Sequence, residues 1–186
     1  SAVVSGITQT TSSNTVIITT VAARTPSVLE LMQYAPGAPA AVLLPVAISS
    51  YSTSGTAAGP FLPLAPPVSV SGAPISLAVP VPLVPAAQYH VGEPVFIRLT
   101  DLDQNADPAV AEMVLVTLRD NLTGDGEVIR LTETGPNTGV FTGYVPTNGQ
   151  PFVTGNGVLN LVNNSRIDGS YVDAADASDT EVLGIL

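Results

Sequence analysis

The run Thr100-Asp101-Leu102-Asp103-Gln104-Asn105-Ala106-Asp107-Pro108 puts an oxygen-bearing side chain at every second position: Asp101, Asp103, Asn105 and Asp107. Calcium is a hard cation that takes about 6–8 such oxygens, and a D-x-D-x-N opening is how one kind of calcium loop begins. The rest of that loop is missing. Its sixth position is Ala106 rather than glycine, and Glu112, at the twelfth, precedes no helical pattern. Two readings therefore stand: a loop in which Asp101, Asp103, Asn105 and Asp107 converge on calcium, or an Asx-rich turn that caps one strand and leads to the next. Asp173, Asp176 and Asp179, with Asp168 just before them, form a second and weaker acidic group. Such a group is either a further set of cation ligands or a solvated acidic loop.

Other chemistry finds little material. His90 is the only histidine and there is no cysteine, so a zinc site lacks ligands. A serine triad built on His90 has no G-x-S-x-G elbow to support it, and a turn histidine accounts for it better. Glu112, Glu127 and Glu133 supply carboxylates for a glycosidase-like pair. Aromatics are only 5% with no tryptophan, which leaves few sugar-stacking platforms. Glu133 and Asn137 read better as residues that hold a turn. All five basic residues are arginine, and the absence of lysine excludes Schiff-base chemistry, a P-loop and a lysine isopeptide staple. Asn121-Leu-Thr123 and Asn163-Asn-Ser165 match glycan acceptors, a pattern common by chance. No enzymatic activity is expected, and no cofactor beyond calcium.

The elements that must hold these residues are strands. Prolines fall too often for long helices, and Val, Ile and Thr dominate the apolar positions. Strands are expected over Thr15–Ala22, Pro26–Tyr34, Val42–Ser49, Val68–Val70, Ile75–Val79, Pro94–Thr100, Glu112–Arg119, Glu127–Thr132, Val140–Pro146, Gly157–Val162, Ile167–Val172 and Glu181–Leu186. Turn chemistry separates the later ones. Asn121–Gly126 reads as a hairpin loop with Asp125-Gly126 supplying positive φ, and Gly135–Gly139 as another. Residues 52–66 read as a long surface loop, and 80–87 as a polyproline spacer. Short strands at this spacing predict an all-β sandwich.

The chain has 186 residues, 45% hydrophobic and 11% charged, with a net charge of −10. That acidity opposes nucleic acid and anionic lipid and favours divalent cations. No apolar run approaches the roughly 18–20 residues of a membrane span, so no membrane insertion is expected. Residues 1–92 carry only Arg24 and Glu30 as charged side chains, whereas proline concentrates there. Two segments are therefore expected: a Pro-rich β segment over 1–88, with an exchangeable strand in 1–22, and an acidic sandwich over 89–186.

The stretches VGEPVFIRLTDLDQNADP, AEMVLVTLRD, RLTETGPNTGVFTGYVPT and NGVLNLVNNSRIDGSYVDAADASDTEV resemble an immunoglobulin-like module of large bacterial cell-surface repeat proteins. The TETGPNTGVFTG run is the most specific part, and the resemblance covers about residues 89–182. SNTVIITTV (13–21) is similar to the last strand of conserved repeats in the same kind of protein. The resemblance implies an immunoglobulin-like sandwich, secretion, and a structural or adhesive role without catalytic residues; the Pro-rich first half reads as additional N-terminal strands and loops, and an extracellular or cell-surface location after signal removal is expected.

Two functions follow as expectations. One is an extracellular subunit that self-associates into a filament, pilus-like fibre, sheath or surface layer by strand donation, with Thr15, Val16, Ile17, Ile18 and Val21 in the donor strand. The other is a spacer or adhesive module of a larger surface protein, stiffened by calcium.

Overall fold

The computed structural model of the chain describes residues 25–174, 176 and 178–185. The expected donor strand, with Thr15, Val16, Ile17, Ile18 and Val21, lies outside the described residues. Among those described, the strands are β1 (Val28–Tyr34), β2 (Val42–Leu44), β3 (Ser50–Ser52), β4 (Phe61–Pro63), β5 (Val81–Pro85), β6 (Val95–Thr100), β7 (Met113–Asp120), β8 (Gly126–Glu133), β9 (Val140–Val145), β10 (Thr147–Asn148), β11 (Leu159–Asn160), β12 (Ile167–Val172) and β13 (Thr180–Ile185). No described residue is helical, and the fold is all-β.

Successive side chains of a strand point to opposite faces, so alternation sorts each strand into a core face and an outer face. In β7, Val114, Val116, Leu118 and Asp120 are buried while Met113 and Arg119 are exposed. β7 and β8 pair antiparallel from Met113↔Thr132 to Arg119↔Gly126. Positive φ in their connection falls on Gly124 (74°) rather than on the expected Asp125-Gly126 pair. β6 is buried on both faces at Val95, Phe96, Ile97 and Leu99, as befits a central strand.

Hydrogen bonding runs in the order β13-β12-β7-β8-β9-β6-β1-β5-β2, with β3 joining β8 and β4 joining β3. β10 and β11 form a separate short parallel pair. The sheet turns a corner between β8 and β9, where only Thr132↔Thr142 and Glu133↔Phe141 are paired. Beyond the corner β1 comes to lie across from β12 and β13. A Cβ added at Gly169 of β12 would sit 3.3 Å from Leu29 of β1, so glycine permits close approach of the two layers. The result is a sandwich whose core joins Leu29, Leu31 and Met32 to Phe96, Leu118, Ile129, Phe141 and Tyr144.

The two segments expected on either side of residue 88 share this sheet and this core. β1 lies between β6 and β5, and side chains fasten the Pro-rich part further. Tyr89 OH donates to Met32 O (2.8 Å), Thr142 Oγ1 to Pro45 O (2.6 Å) and Tyr144 OH to Ala65 O (3.0 Å). Several expectations need correction here. The polyproline spacer at 80–87 is β5, paired on both sides. The loop at 52–66 contains β4, which pairs with β3. The strand expected over Val42–Ser49 stops at Leu44, where Pro45 follows. Val68–Val70 and Ile75–Val79 are not strands, and only an isolated bridge links Val68 to Pro74. Gly157–Val162 shrinks to Leu159–Asn160.

Candidate functional site

One end of the sandwich gathers acids from two distant parts of the chain. As β6 ends, Asp101 N–H donates to Gly139 O at 2.8 Å. Gly139 has φ +61°, and a Cβ there would lie 3.1 Å from Asp101 O and 2.8 Å from Leu102 Cδ2. Glycine is what lets the 135–139 loop close onto Asp101. Glu133 fixes the same loop: its Oε1 accepts the N–H groups of Thr138 and Gly139, each at 2.7 Å, and its Oε2 accepts Glu112 N–H at 3.3 Å. Burial opposes ionisation of Glu133, but these donors outweigh it and hold its carboxyl below the ordinary range.

The other side of the site comes from the β12–β13 connection. Asp173 follows β12 and is buried, and its Oδ1 accepts from Gln104 Nε2. Asp173 N–H donates to Asp179 O at 3.1 Å, which closes the connection into a tight loop. Asp179 reaches across to the start of the described chain, accepting Ser27 N–H at 2.7 Å and Ser27 Oγ–H at 3.0 Å. Oxygens of Asp101, Asp173 and Asp179 all lie within 4.8 Å of one another.

Asp101 sits at the centre of the group, fully buried. Its Oδ2 accepts Tyr171 OH at 2.7 Å, while its Oδ1, and the buried Oδ1 of Asp103, have no hydrogen-bond partner. Burial, with a side-chain hydrogen bond to Asp103 and the Asp103 and Asp173 charges adding to it, pushes the Asp101 carboxyl up to about 6 against the opposing bond from Tyr171. Burial, and then the Asp101 contact, drive the Tyr171 hydroxyl well above its ordinary value. Charge is thus concentrated where desolvation makes it costly.

The chain's other buried acids are handled differently. Asp120 Oδ1 accepts the N–H groups of Leu122 (2.9 Å) and Thr123 (2.7 Å). Asp125 accepts those of Gly126 (3.0 Å) and Asn160 (2.7 Å). Glu127 accepts those of Asn156 and Gly157, each at 3.0 Å. Backbone donors hold these carboxylates, as they hold Glu133, although Asp120 Oδ2 takes none of them. Glu127 is nevertheless pushed up to about 7 by burial, which its two donors only partly offset.

The expected site residues divide accordingly. Asp101, Asp103, Asp173 and Asp179 come together. Asn105 donates through Nδ2 to Asn137 Oδ1 at 2.8 Å, and its own Oδ1 is buried without a partner. Asp107 is exposed and caps a turn, its Oδ1 accepting Ala109 N–H at 3.0 Å. Asp176 Oδ1 accepts Ser178 N–H at 3.1 Å within its own loop. The every-second-residue pattern therefore delivers its first two acids to one place and spends its fourth on a turn. Tyr171, Gln104 and Ser27 support the site and carried no signal in the sequence; Ser27 meets Asp179 across 152 positions.

His90 and the glutamates do not assemble with this group. His90 stands 3.5 Å from Glu93 with its side chain largely exposed. Glu127 and Glu133 are each occupied in holding loops. A shallow apolar depression of about 470 Å³ adjoins the site over β7, β8 and β12, lined by Met113, Leu115, Val128 and Val172 and reaching Gln104 and Tyr171. At the sheet's edge, β13 pairs only with β12 among the described residues, and Val182 there is 76% exposed.

No known protein family matches the chain, and no curated protein matches it.

Proposed function

We propose that this chain is a non-catalytic extracellular structural subunit that self-associates by β-strand pairing. The observation that carries this reading is the open edge of β13 together with where the chain begins its described path. Among the described residues β13 offers an unpaired row of main-chain groups along Thr180–Ile185, with Leu183 and Ile185 packed against the core and Val182 turned outward. Ser27 is bonded to Asp179, the residue immediately before that edge. The described residues therefore begin beside the start of the open strand.

The sequence before Thr25 contains Thr15–Ala22, uncharged and β-branched almost throughout. An extended strand of this kind completes an open sheet through main-chain hydrogen bonds, and an edge left uncovered invites association. Eight residues at about 3.3 Å each span roughly 26 Å, more than enough to match β13. The resemblance of residues 89–182 to a cell-surface repeat module supports an extracellular setting, and the net charge of −10 suits a surface that repels its copies except along this edge.

Light scattering on the full chain and on a chain starting at Thr25 tests the proposal. Concentration-dependent oligomers that require residues 1–24 are expected; a stable monomer at all concentrations would remove it.

A further inference from the structure

Asp101 is held differently from the four buried acids that lie outside the cluster and were described above. Asp120, Asp125, Glu127 and Glu133 each meet at least two backbone N–H groups. Asp101 meets one tyrosine hydroxyl and the Asp103 carboxyl, and no backbone N–H reaches its second oxygen although it is fully buried. An uncompensated buried carboxylate oxygen is costly, more so beside three other carboxylates. A cation placed there would neutralise the group.

We propose that Asp101, Asp103, Asp173 and Asp179 bind one calcium ion that clamps the end of β6, the β12–β13 connection and the start of β1 together. The ligand chemistry selects the ion. All four side chains are carboxylates, and no imidazole or thiolate is present to favour zinc or copper. Oxygens on opposite sides of a calcium shell are about 4.6–5.2 Å apart, from metal–oxygen distances of about 2.3–2.6 Å. The oxygens of Asp101, Asp173 and Asp179 lie within 4.8 Å of one another, so a single ion reaches all three. Asp103 adds a fourth carboxylate through its unpartnered Oδ1. The surrounding bonds hold the acids in place: Tyr171 donates to Asp101 Oδ2, Gln104 to Asp173 Oδ1, and Ser27 to both oxygens of Asp179, whose remaining lone pairs face the ion. Hydrogen-bonded carboxylates of this kind are the usual outer support of a metal site.

The clamp has a consequence at Ser27. Asp179 links the ion to Ser27, so occupancy fixes the residues just before β1 against the β12–β13 connection. This inference stands apart from strand pairing, since a monomer binds the ion equally well.

Isothermal titration calorimetry of the chelator-treated full chain with calcium, and separately with magnesium at equal ionic strength, is the test. One calcium per chain is expected, with at least tenfold weaker magnesium binding, and slowed hydrogen exchange in residues 25–32 and 173–180 on addition of calcium. Asp179→Asn should weaken calcium binding at least tenfold, whereas Asp107→Asn, in the same sequence pattern but outside the cluster, should leave it unchanged. Asp101→Asn, at a fully buried position, risks misfolding; the native-chain titration and Asp179→Asn carry the result without it. No calcium heat, binding unaltered by Asp179→Asn, or equal effects of both ions each overturns the proposal.

Discussion

Glu133→Ala should cost the fold about 2–4 kcal/mol, and the structure shows why the figure is not smaller. Glu133 Oε1 takes two backbone N–H groups at 2.7 Å each, from Thr138 and Gly139. A hydrogen bond to a charged acceptor contributes about 1.5–3 kcal/mol. Thr138 is exposed, so its freed N–H finds water. Gly139 is buried, and its freed N–H finds nothing, adding the desolvation cost of an unmet donor. Glu133→Gln keeps an acceptor oxygen and should lose only about 1–2 kcal/mol. The pH dependence follows from the same contacts. Because the folded state holds the Glu133 carboxyl below 4.5, its contribution is present above that value and disappears as pH falls through the folded value. Urea unfolding of wild type and Glu133→Gln at pH 7 and pH 3 measures both. A Glu133→Ala loss below about 1 kcal/mol, or a wild-type advantage over Glu133→Gln that is undiminished at pH 3, would refute the reasoning.

Glu127 should behave with the opposite sign. Its folded value is raised to about 7, so the folded state keeps a proton that the unfolded chain releases near 4.5; its contribution is greatest below 4.5 and declines as pH rises to about 7. Subtracting the urea-midpoint profile of Glu127→Gln from that of wild type should isolate this decline, and a flat difference contradicts it. Gly139→Ala forces positive φ on a residue with a Cβ and presses it against Leu102, so a loss of about 2 kcal/mol or more is expected in the same assay, with weaker calcium binding because Asp101 is anchored on Gly139 O. Leu31→Ala removes a fully buried side chain from β1 and should cost about 2–5 kcal/mol. A much smaller loss would mean that β1 is dispensable to the core.

β6, β7, β8, β9 and β12 were legible because their period-two patterns are bounded by turn residues with defined chemistry, as in Met113–Asp120 and Gly126–Glu133. β5 was not. Val81–Pro85 holds two prolines and reads as a spacer, yet both fit the sheet. Pro82 accepts Ala35 N–H through its carbonyl, and Ala35 O is already taken by Ala38 N–H, so the missing proline donor is not needed. Pro85 pairs opposite Met32, past the end of β2. Sequence shows that a proline lacks a donor; only the neighbouring strand's length shows whether one was required.

The acidic site was half legible. Alternating oxygens flagged Asp101 and Asp103, but the turn after Gln104 breaks the alternation and sends Asp107 to cap Ala109. Asp173 and Asp179 join because β12 lies beside β7 and ends at the same end of the sandwich as β6, a fact of topology rather than of local pattern. The role of Glu133 could be anticipated from the glycines and asparagine around it, since a loop with φ +64° at Asn137 and +61° at Gly139 needs an acceptor for its inward N–H groups.

Strand pairing between copies is tested most directly with introduced cysteines, which are unambiguous because the chain has none of its own. Val16→Cys marks the expected donor and Val182→Cys the outer edge of β13. Mixing the two single variants and oxidising should give disulfide-linked heterodimers, and the double variant should give a ladder of polymers. A double variant that forms only an internal disulfide, with no heterodimer from the mixture, would place the strand on its own chain and contradict the account.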